Sequence, residues 1–160
     1  MTISDGTSST GAALKRNKGE NSPFFRHFAR NMKMMDSREC AWYCAGYALQ
    51  KKGYDIRILK IAGLSDLADY LVFASGDSDR QVQAIAEAVR MGLKRKKRPA
   101  FAVDGMREGR WVLLDYGDVM VHVFQKAVRE FYDLEGMWGE APELPLPPDS
   151  WFEAAAATKP

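Results

Sequence analysis

The chain has no apolar run of the ~18 residues that a membrane-spanning helix requires. It has two cysteines and two histidines in 160 residues, and its Lys and Arg outnumber its Asp and Glu by only two charges. Near the N-terminus there is no apolar segment of the ~7–15 residues that a secretory signal would show. Each shortage removes a class. The first speaks against a helical membrane protein. A net charge of +2 is not the profile of a protein held to nucleic acid by bulk charge. Cys40 and Cys44 stand four apart on what reads as a helix, which suits two small buried residues better than a bridge. Two thiols alone fall short of the about four ligands that a zinc site wants. With no secretion signal and no disulfide pattern, the expected compartment is the cytoplasm.

What the chain does have is Trp111-Val112-Leu113-Leu114-Asp115-Tyr116-Gly117-Asp118-Val119-Met120-Val121-His122-Val123-Phe124. Two runs rich in β-branched and aromatic residues flank a Gly-Asp pair, the signature of a two-residue hairpin whose turn needs a positive φ. Strands over 111–116 and 119–124 pair Tyr116 with Val119, Leu114 with Val121 and Val112 with Val123. Side chains alternate along a strand. One face then carries Val112, Leu114, Tyr116, Val119, Val121 and Val123, a core pattern. The other carries Trp111, Leu113, Asp115, Met120, His122 and Phe124, which suits either a second buried face or a docking surface.

Around this hairpin the chain reads as one domain plus tails. Residues 1–34 form an N-terminal extension. Its first 22 residues are too poor in apolar side chains to offset their ordering entropy and are expected to be disordered. Helical spacing of Ala41, Cys44, Ala45, Ala48 and Leu49 predicts a helix over 38–52, ended by Lys51-Lys52-Gly53. Residues 55–61 alternate as a strand, and Tyr70 to Ser75 is a near-continuous apolar run, as in a central strand. Val82, Ile85, Ala86, Val89 and Leu93 mark a helix over 80–96 that stops before Pro99. A short strand at 100–103, the hairpin and a helix over 126–134 complete a domain at 35–140. Residues 141–160 read as a Pro/Ala-rich extended tail. The fold expected is α/β, with a mixed sheet of about five strands.

Four groups are candidates for chemistry. Asp115, Asp118 and His122 are metal-ligating types, although Asp118 lies in the turn and the other two are not directly opposite one another. The milder reading is that Asp118 shapes the turn and Asp115 pairs with His122 or with solvent. Ser75-Gly76-Asp77-Ser78 opens a helix and offers backbone N–H groups to an anion; it has one glycine and no phosphate-loop lysine, and serves equally as a capped turn. Lys94 to Arg98 is a run of five cations, either a phosphate contact or a solvated helix end, with no aromatic residue interleaved. Trp111 is either core or a binding anchor. Asp69 precedes the central strand, but a nucleotidyl-transfer enzyme would place a second carboxylate two residues on to share a metal, and position 71 is Leu.

Three longer blocks carry a resemblance: Ala68 to Ser78 with Gln81-Val82 and Ala84-Ile85-Ala86, then Trp111 to Phe124, then Arg129-Glu130-Phe131-Tyr132-Asp133-Leu134-Glu135-Gly136-Met137-Trp138. Together they resemble the ribosomal silencing factor (RsfS, Iojap) family over about residues 36–141. The resemblance implies a nucleotidyltransferase-like core without its catalytic carboxylates, in keeping with Leu71, and no enzyme activity, cofactor or metal. It implies binding to the large ribosomal subunit through that subunit's ribosomal protein fourteen, with contact to ribosomal RNA only incidental. It also implies a steric block to joining of the small subunit, repression of translation when nutrients are scarce, a part in late large-subunit assembly, and dimers in some isolated members. Trp111 matches the family's tryptophan and is the first candidate for the ribosomal contact. Leu113, Asp115, Met120 and His122 follow from sharing its face. The alternative function is a metal-dependent nucleotidyltransferase acting through Asp69, Asp115 or Asp118.

Overall fold

The computed structural model describes residues 35–157, with Pro23 alone ahead of them; the expectation of a disordered 1–34 lies outside the described residues. In chain order the elements are α1 (Ser37–Gln50), β1 (Tyr54–Lys60), β2 (Tyr70–Gly76), α2 (Asp79–Arg95), β3 (Ala102–Asp104), β4 (Trp111–Asp115), β5 (Val119–Gln125), α3 (Lys126–Tyr132), a 3-10 turn (Leu134–Trp138) and α4 (Asp149–Ala157). The strands form one five-stranded sheet in the order β1-β2-β5-β4-β3. β2 and β5 run parallel and the other neighbours antiparallel, so the sheet is mixed, as the alternation of strands and helices predicts.

The hairpin has the expected register. Val112 pairs with Val123 and Leu114 with Val121, and the Tyr116 N–H donates to the Val119 carbonyl at 2.9 Å. Gly117 closes the turn at φ +86°, a conformation that costs glycine nothing. β2 is buried along its whole length, because it lies inside the sheet with both faces covered.

The inward face of the sheet carries Val112, Leu114, Tyr116, Val119, Val121 and Val123, all buried, and packs under α1 and α2. α1 meets it with Cys40, Ala41, Cys44, Ala45 and Ala48. These side chains are small, so the helix lies close to the strands, and both thiols are free. α2 buries Val82, Ile85, Ala86, Val89 and Leu93, the stripe its periodicity predicts. It begins at a Ser78 cap, whose Oγ accepts from the Gln81 N–H at 3.1 Å. The two helices touch at Gly92, where a Cβ would lie 2.4 Å from the Tyr47 ring, so any side chain there would have to displace that ring.

The outward face is shared. Over β1, β2 and part of β5 it is covered by α3 and the following turn, which close a second cluster around Leu59, Leu71, Phe73, Phe124 and Val128, with Trp111, Met120, Leu134, Trp138 and Ala141 partly buried against it. Over β4 it is not closed.

The Pro/Ala-rich composition of 141–160 suggests an extended tail, and here the structure differs. The Lys60 N–H donates to the Pro142 carbonyl and the Leu144 N–H to the Ile58 carbonyl, each at 2.8 Å, so the segment lies along the free edge of β1. Residues 149–157 are helical, and Trp151 packs against Trp42 and Tyr43 of α1. Apolar contact with α1 holds a segment that local composition does not organise.

Candidate functional site

β4 and β5 place Trp111, Leu113, Asp115 and Met120 on the outward face, each half-buried. An aromatic ladder runs beneath them. Phe73 stacks on His122 at 5.4 Å and on Phe124 at 6.5 Å between ring centres, and Trp111 stacks on Phe124 at 4.9 Å. The parallel register of β2 and β5 places Phe73 beside His122 and Leu71 beside Met120, so these side chains share a face.

His122 sits lower than its neighbours, at 6 % exposure. The Trp111 indole N–H donates to its Nδ1 at 3.1 Å, which puts the imidazole proton on Nε2. Burial holds the ring neutral, pushing its pKa down to about 4. His122 therefore orients the indole and presents little surface of its own. Phe124 is buried completely. Of the six outward residues, four remain accessible.

Two exposed aromatics of α3 join them. The apolar residues of the helix expected over 126–134 are Val128, Phe131, Tyr132 and Leu134. Val128 is indeed buried, but Phe131 and Tyr132 are 81 % and 56 % exposed. α3 docks through both Val128 and Arg129, and Phe131, two residues past Arg129 and so about 160° from it around the helix, turns outward. Tyr132 leans on Trp111 at 5.2 Å, which makes the exposed aromatic surface continuous across the two elements.

What fixes α3 against the sheet is Arg129, which sequence reasoning passed over as one charge on a helix. Its guanidinium donates to both carboxylate oxygens of Glu135 at 2.7 and 2.9 Å, to the Asp55 carbonyl at 2.8 Å and to Ser75 Oγ at 2.7 Å. Arg57 also donates to Glu135, at 2.8 Å, and reaches Glu143. Arg129 foremost holds the Glu135 carboxyl below its usual range, against its burial, with Arg57 adding to the effect. A buried arginine with four donors matched to four acceptors is a rigid peg.

The other candidate groups are not brought together for chemistry. Asp115 Oδ1 accepts from the Gly117 N–H at 2.8 Å and shapes the hairpin turn. Asp118 is ion-paired with Arg98; burial nonetheless pushes its carboxyl up, with Arg98 opposing. Residue 71, where a second metal-binding carboxylate would stand, is a leucine at 1 % exposure. Among the described residues no three His, Cys, Asp or Glu side chains converge on a point that could hold a metal. The Ser75–Ser78 turn uses its polar groups internally. Ser75 serves Arg129, the Asp77 N–H donates to Gln81 Oε1 at 2.7 Å, the Tyr54 hydroxyl donates to Asp77 at 2.6 Å, and Ser78 caps α2. The Lys94–Arg98 run divides: Arg98 turns in to Asp118, and Lys96 lies over the Tyr43 ring. None of the described helices is long and apolar enough to cross a membrane.

Residues 34–160 match the family model described as "Ribosomal silencing factor during starvation". The chain is 45 % identical over 97 residues to the ribosomal silencing factor RsfS of Bacillus subtilis, covering 58 % of this chain and 78 % of that protein. It is 36 % identical over 112 residues to the RsfS of Halalkalibacterium halodurans, covering 70 % and 96 %. Among solved structures, a crystal structure of a Chromobacterium violaceum protein superposes with a TM-score of 0.65 at 39 % identity, covering 66 % of this chain and 88 % of that one.

Proposed function

This chain belongs to the ribosomal silencing factor family, and from that membership we propose that it binds the large ribosomal subunit through that subunit's ribosomal protein fourteen. Bound there, it bars the small subunit from joining and so lowers translation when nutrients are scarce. The same grip serves late large-subunit assembly. The mechanism is steric and no covalent bond changes. The observation that carries this reading is the uncovered part of the outward face, where Trp111, Leu113, Asp115 and Met120 lie beside the exposed Phe131 and Tyr132. A contiguous apolar surface with a few polar groups, resting on a rigid sheet, is the composition of a protein-docking patch. Trp111 is its anchor, because tryptophan combines a large contact area with little conformational freedom to lose. His122 contributes as a positioning residue by holding the indole in one orientation.

Sucrose-gradient sedimentation of both subunits tests the proposal. Saturating protein is expected to co-migrate with the large subunit and to deplete the joined particle. Subunits that pair normally at saturation would refute the steric block. Trp111→Glu is expected to stay folded and to lose co-migration; full retention would move the contact off this face.

A further inference from the structure

The cation run at 94–98 has no aromatic residue within it, yet the fold supplies aromatics from α1. Lys96 Nζ lies 4.6 Å from the centre of the Tyr43 ring. Tyr43 stacks on Tyr47 at 6.1 Å with 21° between the planes, and the Tyr47 hydroxyl donates to the Gly92 carbonyl in the last turns of α2 at 3.3 Å. Both tyrosines line a cleft of about 310 Å³ between α1 and α4, together with Gly46, Phe152, Gln50 and Asp149. Gly46 is what brings the two helices this close, since a Cβ there would lie 2.5 Å from the Phe152 ring. Arg95 acts electrostatically on Tyr47, and Lys94, Arg95 and Lys97 are exposed around the end of α2.

We propose that this cleft is a nucleotide site: a nucleobase enters between the tyrosines and Phe152, and its phosphate meets Arg95 and Lys96. Aromatic side chains stack on any base, and clustered cations attract phosphate. The volume falls within the range of small-ligand clefts. Besides the tyrosine hydroxyls, the lining holds Asp149 and Gln50, suited to accept from and donate to the edge of a base. A purely apolar ligand would leave these two groups and the cations unused. The site lies beyond α1, on the opposite side of the sheet from the outward face of the hairpin, so it is independent of large-subunit docking and both can be occupied together.

The ligand chemistry, a base carrying a phosphate, is common to free nucleotides and single-stranded RNA, and the test separates them. Trp151, 4.9 Å from Tyr43, reports on the cleft by its fluorescence. With the full chain, AMP is expected to produce a saturable change with a Kd of about 1 mM or lower, and adenosine a change about tenfold weaker, having lost the phosphate contact. The double variant Arg95→Gln/Lys96→Gln changes one exposed and one half-buried cation at the end of α2. It should keep its thermal midpoint and bind AMP about tenfold more weakly. Tyr47→Leu should weaken AMP and adenosine alike. A labelled single-stranded RNA of about a dozen nucleotides that displaces AMP identifies RNA as the source; AMP binding that the RNA does not disturb identifies a free nucleotide. No saturable change with either probe, or full binding retained in both variants, overturns the proposal.

Discussion

The inward side of the β4–β5 hairpin carries Val112, Leu114, Val119, Val121 and Val123, none more than 1 % exposed, while the outward side leaves Trp111, Leu113, Asp115 and Met120 half in water. Both sides come from the same fourteen residues and the same alternation. They differ in what the rest of the chain lays over them. Two long helices seal the inward side, α1 with small side chains at close approach and α2 with a stripe of larger aliphatic ones. A two-turn helix and a 3-10 turn cover the outward side as far as β5 and stop, held by the buried Arg129. Stability resides mainly in the first side. Recognition is available only to the second, because a sealed face has no surface to offer.

The comparison can be broken hardest on the inward side. Val121→Asp places a carboxylate where no partner exists and should cost about 4 kcal/mol or more, read as loss of a cooperative unfolding transition in denaturant. The same charge on the outward side should leave the fold intact.

The cover of the outward side is tested next. Arg129→Met leaves Glu135 without its main partner, a loss of about 3 kcal/mol. Hydrogen exchange should show α3 and the 134–138 turn opening before β2 and β5. Uniform loss of protection would mean that Arg129 holds the whole domain and not that layer.

A pH titration sharpens the boundary between the two sides through His122. Its pKa falls from the ordinary 6.5 to about 4 in the folded state. Between those values the unfolded chain binds the extra proton, so stability is full above 6.5, declines as pH drops, and stops declining from this source below about 4. The span corresponds to about 3 kcal/mol. His122→Gln, which keeps an acceptor for the Trp111 indole, should remove that part of the pH dependence; a variant curve parallel to the original would contradict a buried neutral imidazole.

The smallest effect on stability belongs to the open face. Leu113→Glu should change unfolding free energy by less than about 1 kcal/mol while sharply weakening co-sedimentation with large subunits. A loss of stability as large as that of Val121→Asp would erase the distinction between the two sides.

Most of the fold is legible in the residues, and for local reasons. Gly117-Asp118 sets the hairpin register, the all-apolar run of β2 marks a strand with both faces covered, and the stripe on α2 is strictly periodic. Of the candidate site, the sheet face that Trp111 belongs to was readable from alternation, as the family was from the motif blocks. Phe131 and Tyr132 were not, because periodicity groups apolar residues without saying which of them the sheet will reach. The exclusion of His122 from the surface depends on the indole above it and the Phe73 ring beside it, one residue eleven positions away and the other on a different strand.

The sequence by itself determined the strands, the hairpin register, the amphipathic face of α2 and the alternation that splits the hairpin into two sides, since all of these follow from spacing over a few residues. Tertiary structure alone decided how far each side is covered, which aromatics stay exposed, that the Pro-rich segment lines an edge and ends in a helix, and that Arg129 carries the packing of α3. Those outcomes depend on contacts between residues up to about a hundred positions apart, Trp42 with Pro145 among them, and no local pattern encodes which distant groups will meet.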